Sequence, residues 1–195
     1  MKKIALVLAS LACFRLPAAD TSVPPVAQKY LAMFRELREA RAQPAPSRHH
    51  VAFALADGEI NEYMRYALRT APRPGVDSVT VKIFPQNYVS TFTVVDFDAI
   101  ERWKPGTIPV LLRPILRGKQ SIWVDYRFGA ANYKISFSVE KAYYDKLRLP
   151  AFFVEKVIHI VAARQPEHYD TGKPVSLPFG LRQAWTENHT VKGNN

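Results

Sequence analysis

The sequence predicts an α+β fold in which a strongly curved antiparallel sheet wraps around a largely apolar helix, with a further helix near the N-terminus. Two strands of alternating polarity follow each other at 120–128 and 133–143. A helix at 150–164 is apolar on all sides except a stripe of Glu155, Lys156 and His159, so most of its surface must be covered. A twisted sheet that wraps around this helix buries both apolar surfaces.

The first helix is expected from the proline pair at 24–25 to about residue 41. Its apolar side chains recur at spacings of three and four residues, as Tyr30, Met33, Phe34 and Leu37. The proline-containing segment 43–47 ends it and forms a stiff linker. Two interpretations of the opposite, basic face remain open: a solvated face of a packing helix, or a membrane-surface contact made by Lys29, Arg35, Arg38 and Arg41.

A second helix is expected at 58–69, after a short strand at 49–55, with Asp57 as its N-cap. Its stripe follows the i, i+3, i+4, i+7, i+8 pattern through Ile60, Tyr63, Met64, Ala67 and Leu68. Strands are predicted at 76–84 and 88–97. The segment 104–118 carries three prolines and is expected to be a mobile or crossing connection. A last edge strand is predicted at 181–191, with a frayed end at 192–195.

The strands at 120–128 and 133–143 flank a short turn at 129–132, which is a strong signal for an antiparallel hairpin. Each strand has one apolar face. If the sheet curls without closing, these faces leave an apolar groove beside the 150–164 helix that suits an acyl chain. The alternative is that the same side chains fill a core. The predicted lining residues are Met64, Leu68, Ile122, Val124, Tyr126, Phe128, Tyr133, Ile135, Phe137, Val139, Phe153, Val157 and Ile158.

Residues 1–19 have the three-part layout of a secretory signal peptide. A basic start at Lys2 and Lys3 precedes an apolar run at 4–14 and small residues at 18–19. That run is shorter than the roughly 20 residues needed to span a bilayer. The prediction is therefore a secreted, periplasmic protein after cleavage. Cys13 after Leu11 and Ala12 loosely resembles a lipobox, so a lipoprotein is the less favoured alternative.

Composition narrows the function further. The formal charge is +10, and removing Lys2, Lys3 and Arg15 with the leader lowers it to +7. This excess favours lipid or an anionic membrane surface as partner, and the leader argues against nucleic acid. The only cysteine lies in the leader. There is no glycine-rich phosphate loop, G-x-S-x-G elbow or H-E-x-x-H helix, so no catalytic residue, cofactor or metal is predicted.

The opening of the second helix, Leu55-Ala56-Asp57-Gly58-Glu59-Ile60-Asn61-Glu62-Tyr63-Met64, resembles the start of a helix in small bacterial envelope proteins with lipid-binding half-barrels. The YceB, YpmS and LmeA groups belong to that set, which is related in shape to the tubular lipid-binding superfamily. The order of the later elements, including the motif at 177–181, is similar to theirs between about residues 51 and 191. The resemblance implies a cell-envelope protein that holds a lipid between a curved sheet and a helix, without catalysis.

Three segments are therefore expected: a signal peptide at 1–19, an N-terminal helix with a proline-rich linker at 20–48, and a single α+β domain at 49–195. The first functional hypothesis is a lipid-binding or lipid-carrying protein. The alternative is a non-catalytic envelope assembly or adaptor protein with a packed core and a protein partner. A hydrolase is the third.

Overall fold

The computed structural model describes residues 23–44, 49–108, 110–150 and 174–195. Its helices are α1 (Pro25–Ala42), α2 (Asp57–Thr70) and α3 (Phe97–Trp103), with short 3₁₀ helices at Val110–Leu112 and Pro178–Gly180. Its strands are β1 (Ala52–Ala56), β2 (Val76–Phe84), β3 (Tyr88–Asp96), β4 (Lys119–Ala131), β5 (Lys134–Tyr144), β6 (Leu147–Leu149), β7 (Val175–Ser176), β8 (Gln183–Glu187) and β9 (Thr190–Asn194).

These nine strands form one antiparallel sheet in the order β1-β9-β8-β4-β3-β2. Strand β5 pairs with the other edge of β4 and also with β6 and β7. The sheet is open, and helix α2 connects its two terminal strands, β1 and β2, directly along the chain. The α+β class with a curved antiparallel sheet and an N-terminal helix is confirmed. The apolar helix expected at 150–164 lies outside the described residues from residue 151 onward.

The β4–β5 hairpin is confirmed, and its register brings the two apolar faces together. Tyr126 lies opposite Val139, and Phe128 lies opposite Phe137. The expected turn at 129–132 is wrong, because β4 continues through Ala131. The turn consists of Asn132 and Tyr133, which both have positive φ, 52° and 63°. Two-residue hairpin loops with this backbone match the right-handed twist of the strands, so the turn is shorter and tighter than expected.

The last part of the chain differs from the prediction. The expected single edge strand at 181–191 is the hairpin β8–β9, with its turn at Asn188 and His189. The expected fraying at 192–195 is wrong, because β9 lies between β8 and β1. Beyond the strand, the Asn195 side-chain oxygen accepts a hydrogen bond from the Val51 N–H at 2.9 Å. The polar composition of 192–195 does not indicate a strand, yet β9 is hydrogen-bonded to a neighbouring strand on each edge.

The main core lies between the sheet and the helices α1 and α2. Tyr30 of α1 and Tyr63 of α2 stack with their ring centroids 4.7 Å apart. Leu37 of α1 is 1% exposed. The apolar face of α1 is thus covered by the protein itself. Segment 104–118, expected to be mobile or to cross the sheet, contains the first 3₁₀ helix and joins a second, smaller cluster around Val95, Phe97 and Ile108.

Candidate functional site

Residues 57–61, which lie within the segment 55–64 that carries the family resemblance, fasten α2 to the sheet. Strand β2 is a terminal strand, and the Asn61 side chain pairs with its backbone as a neighbouring strand would. Asn61 Nδ2 donates to the Val81 carbonyl at 2.9 Å, and Asn61 Oδ1 accepts from the Val81 N–H at 2.7 Å. Because Val81 is 2% exposed, these bonds satisfy backbone groups that water does not reach.

Asp57 and Glu59 complete this attachment. Asp57 was expected to be the N-cap, but it is the first residue of the helix and Ala56 is the N-cap. Its carboxylate accepts a long hydrogen bond from the Ile83 N–H at 3.4 Å and lies 3.1 Å from Nδ1 of His189 in the β8–β9 turn. Glu59 accepts from the Ala56 N–H at 3.2 Å. The polar residues of the motif therefore have structural roles, because they bind other parts of the same chain. The candidate binding site lies on another part of the molecule.

The inner face of the sheet, defined as the face that α1 and α2 cover, carries the predicted groove residues of β4 and β5. Some are part of the packed core: Phe128 is 5% exposed and Ile135 is 1% exposed. Further along the same face the exposure rises, and Phe137 is 39% exposed. The rings of Tyr126 and Phe137 meet edge to face, with centroids 6.0 Å apart. We call the partly exposed set the inner strip: Ile122, Val124, Tyr126, Phe137 and Val139.

The other predicted lining residues lie in different surroundings. Met64 of α2 belongs to the main core and is 2% exposed, and Leu68 on the next turn is partly buried. Tyr133 is 49% exposed in the β4–β5 turn, at the end of the hairpin. Phe153, Val157 and Ile158 fall outside the described residues. The structure thus brings the inner-strip residues together on one face and leaves Tyr133 at its margin.

The inner face is electrically neutral along β3, β4 and β5. Its positions hold aliphatic, aromatic, threonine or glutamine side chains, as the strand register shows. Burial raises the pKa of the Tyr126 phenol far above its ordinary value, although the neighbouring Thr91 hydroxyl opposes the shift. Burial likewise raises the pKa of Tyr63 to about 12. Both phenols stay protonated at neutral pH, so neither Tyr126 on the inner face nor Tyr63 on α2 adds a charge to it.

The opposite, outer face combines charged and aromatic side chains. Arg127 lies over the Tyr88 ring at 5.2 Å, and its Nε lies 3.1 Å from a Glu140 carboxylate oxygen. The Trp123 indole N–H donates to Asp125 at 2.7 Å. Beside this face, between β5 and β6, is a surface depression of about 320 Å³ lined by Glu140, Lys141, Arg148, Leu149 and Pro150. Its charged lining suits polar groups and not an acyl chain.

The basic residues of α1 that were predicted to touch a membrane are all exposed. The Lys29 Nζ lies 2.5 Å from a Glu59 carboxylate oxygen, so its charge is partly neutralised. The Arg38 Nε donates to the Phe34 carbonyl of the same helix at 3.1 Å. Arg35 and Arg41 also lie on the solvent side of α1. Electrostatic contact of this face with a membrane stays a prediction.

Within the described ranges, no three His, Cys, Asp or Glu side chains are grouped so that they could hold a metal ion. The described helices include none with the length and apolar character needed to cross a membrane.

No protein-family model matches this chain, and a comparison with curated proteins finds no match. Among solved structures, a crystal structure of lipopolysaccharide binding protein is similar with a TM-score of 0.21 and 10% sequence identity. The similarity covers 78% of this chain and 44% of that chain, so this chain spans less than half of that protein. At this TM-score the similarity establishes neither a shared fold nor a shared ligand. The family resemblance of residues 55–64 therefore stays a prediction.

Proposed function

We propose that this protein is a non-catalytic lipid-binding or lipid-carrying protein that holds an acyl chain against the inner face of its curved sheet. The observation that carries the proposal is the inner strip, a continuous set of partly exposed apolar side chains on two paired strands. Its members are uncharged and lie in register across β4 and β5, with Tyr126 opposite Val139. Contiguous apolar surface that a protein leaves accessible to solvent is typical of a binding surface.

The dimensions of the inner strip suit a lipid tail. From Ile122 to Tyr126 the strand advances four residues, which corresponds to roughly 13 Å. Val139 and Phe137 widen the strip across the neighbouring strand. Burying apolar area contributes about 25 cal/mol per Å², so an acyl chain laid along the strip gains affinity without any charged contact. We further propose that the protein acts in the periplasm, after removal of the leader at 1–19.

The test compares two phenylalanines with the same exposure on opposite faces of the sheet. Phe137 on the inner face and Phe92 on the outer face are each 39% exposed. We expect native mass spectrometry and lipid extraction to find lipid with the wild type and with Phe92→Asp, but not with Phe137→Asp. A wild-type protein that carries no lipid after gentle extraction, or equal lipid retention by both variants, contradicts the proposal.

The alternative function, an envelope assembly or adaptor protein, is favoured by the outer face. Phe92 and Trp123 lie opposite each other on β3 and β4 and are 39% and 46% exposed. An aromatic pair of this kind is a typical anchor for a protein partner. Under this alternative Phe92→Asp, and not Phe137→Asp, removes the function, so the same two variants distinguish the two proposals.

A further inference from the structure

The four most exposed large apolar side chains of the described residues lie at one end of the sheet. Val110 is 74% exposed, Leu147 is 65%, Trp103 is 62% and Ile115 is 51%. Trp103 ends helix α3, Val110 and Ile115 belong to the following segment, and Leu147 begins β6. We call this group the apolar tip.

Hydrogen bonds connect the parts of the apolar tip. The Tyr144 hydroxyl donates to the Ile115 carbonyl at 2.6 Å, and Tyr144 lies opposite Leu147 in the β5–β6 hairpin. The Phe97 N–H donates to the Gly118 carbonyl at 2.9 Å, which closes the segment that begins with α3. The segment 97–118 and the β5–β6 hairpin are therefore joined at this end of the sheet.

The tip also has an ordered base. The Glu101 carboxylate accepts from the Gly106 N–H at 2.8 Å and from the Ile108 N–H at 3.1 Å, and it forms an ion pair with Arg113 at 2.7 Å. Beneath these bonds lies the smaller cluster of Val95, Phe97 and Ile108. Trp103, Val110 and Ile115 thus project from a segment in which Ile108, Leu112 and Leu116 are packed, so their exposure is a property of the fold.

The charges around the tip are predominantly positive. The segment from Phe97 to Lys119 contains five basic residues and two acidic ones. One of the acidic residues, Glu101, is paired with Arg113. Arg102, Lys104 and Arg117 lie exposed in this segment. In the turn beside Leu147, Lys146 and Asp145 are both exposed, and the Asp145 carboxylate accepts hydrogen bonds from Ser121.

We propose that the apolar tip is the membrane-docking end of the protein and that its partner is an anionic lipid bilayer. Trp103, Val110 and Ile115 enter the interface between headgroups and acyl chains, where tryptophan is favoured. Arg102, Lys104 and Arg117 contact the anionic headgroups. This inference rests on the proposed function, since a lipid carrier must meet the membrane from which it loads or to which it delivers.

The composition of the tip favours a bilayer over a protein partner. Lysine is depleted in the cores of protein interfaces, whereas lysine and arginine beside aliphatic and tryptophan side chains characterise membrane-surface segments. Helix α1 is also basic, but its apolar face is buried in the core, where Tyr30 and Leu37 lie. The tip therefore combines exposed apolar groups with positive charge, and α1 offers only the charge.

The first experiment follows Trp103 in a background with Trp123→Phe and Trp185→Phe. We expect its fluorescence to shift to the blue on vesicles of phosphatidylcholine mixed with phosphatidylglycerol, and brominated lipid to quench it. An unchanged spectrum on vesicles that sediment with the protein overturns the proposal, because the tip then stays in water.

The second experiment measures vesicle sedimentation of the otherwise wild-type protein. We expect the triple variant Trp103→Ser, Val110→Ser, Ile115→Ser to bind at least about tenfold more weakly. Neutralising Arg102, Lys104 and Arg117 with glutamine should weaken binding to anionic vesicles roughly fivefold for each charge. The matched control removes the same charge from α1 through Arg35→Gln, Arg38→Gln and Arg41→Gln, and it should have the smaller effect.

The outcomes separate this inference from the proposed function. Because these side chains are exposed, we expect the melting temperature of the serine variant to stay within a few degrees of the wild type. If the wild-type protein binds vesicles after all lipid has been extracted from it and the serine variant does not, the result supports membrane docking by the tip. This conclusion holds even if the protein carries no acyl chain. The inference is overturned if the serine variant binds vesicles as tightly as the wild type does. It is also overturned if the wild type self-associates as its concentration rises and the serine variant does not, because a second copy then covers the tip.

Discussion

Asn61 of α2 binds Val81 of β2 through both groups of its amide, donating at 2.9 Å and accepting at 2.7 Å. A carboxylate at this position can only accept, and an aliphatic side chain can neither donate nor accept. One side chain therefore occupies the place of a further strand at this edge of the sheet, and α2 closes the edge.

We expect Asn61→Ala to reduce the free energy of unfolding by about 2–4 kcal/mol, because a buried N–H and a buried carbonyl lose their partners together. Urea denaturation measures the loss. Glu62→Ala on the exposed side of the same helix is the control and should change stability by less than about 0.5 kcal/mol. A loss below about 1 kcal/mol for Asn61→Ala shows that water or a neighbouring group replaces the amide.

We expect Gly193→Ala and Gly58→Ala to have opposite effects on stability. A Cβ at Gly193 would stand 2.6 Å from Cζ of Phe53, so the substitution should cost about 1–3 kcal/mol. A Cβ at Gly58 meets nothing within 4 Å in the first turn of α2, so alanine should stabilise by about 0.4–1 kcal/mol. Thermal melts of both variants provide the measurement. Equal melting temperatures show that Phe53 moves aside at little cost.

We expect tryptophan to be accepted at Phe137 but not at Ile135, although both residues are on the inner face of β5. Ile135 is 1% exposed, so Ile135→Trp must displace core side chains at a cost of about 1–3 kcal/mol. Phe137→Trp adds volume at a partly exposed position and should leave the urea midpoint nearly unchanged. Its effect on retained lipid then reports on the inner strip without a loss of fold. A large stability loss for Phe137→Trp indicates that the strip is packed.

We expect Glu59→Gln to reduce stability at pH 7 and to have less effect in acid. The hydrogen bond from Lys29 holds the pKa of Glu59 below its ordinary range, with a further contribution from the Ala56 N–H. A lowered pKa in the folded state stabilises the protein above the unfolded pKa of about 4.3, and this contribution is lost as the pH falls through the folded value. Urea titrations between pH 3 and pH 7 measure it, with Glu62→Gln as the control for a removed negative charge. A difference that does not shrink in acid excludes this linkage.

We expect the exported protein to begin within residues 17–20, because the leader ends in small residues before Asp20. N-terminal sequencing after expression in a bacterial host checks the position. A mature chain that starts at Met1, or at a lipid-modified Cys13, contradicts this prediction.

Much of the fold follows from local pattern. Helix α2 and the β4–β5 hairpin have strong periodicities of 3.6 and 2 residues, and each is present at nearly the expected position. The prediction failed where long-range pairing decides the structure. Residues 192–194 are lysine, glycine and asparagine and have little intrinsic strand preference, yet β8 and β1 supply a partner on each edge.

The candidate site was predictable only in part. Alternation identified which side chains share the inner face, because successive residues of a strand point to opposite sides. It did not show that Ile135 is enclosed while Phe137, two residues later, is partly exposed, since that depends on where the helices lie. The role of Asn61 was equally hidden, because an asparagine inside a helix carries no sign of the strand edge to which it binds. The apolar tip had one signal, the prolines of 104–118 beside Trp103, which indicated a loop but not a surface.

The pairing of β1 with β9 bears on the kinetics of folding. Ala52 lies opposite Asn194 and Ala56 opposite Thr190, so nearly the whole described chain separates the partners of this ladder. During synthesis of the central strands, residues 52–56 have no strand with which to pair. At that stage helix α2 can contact β2, but the β8–β9 turn that also contacts it has not been made. Topologies with contacts of such long range fold slowly, on the scale of milliseconds to seconds. The β1–β9 ladder therefore forms only after residues 190–194 have been synthesised.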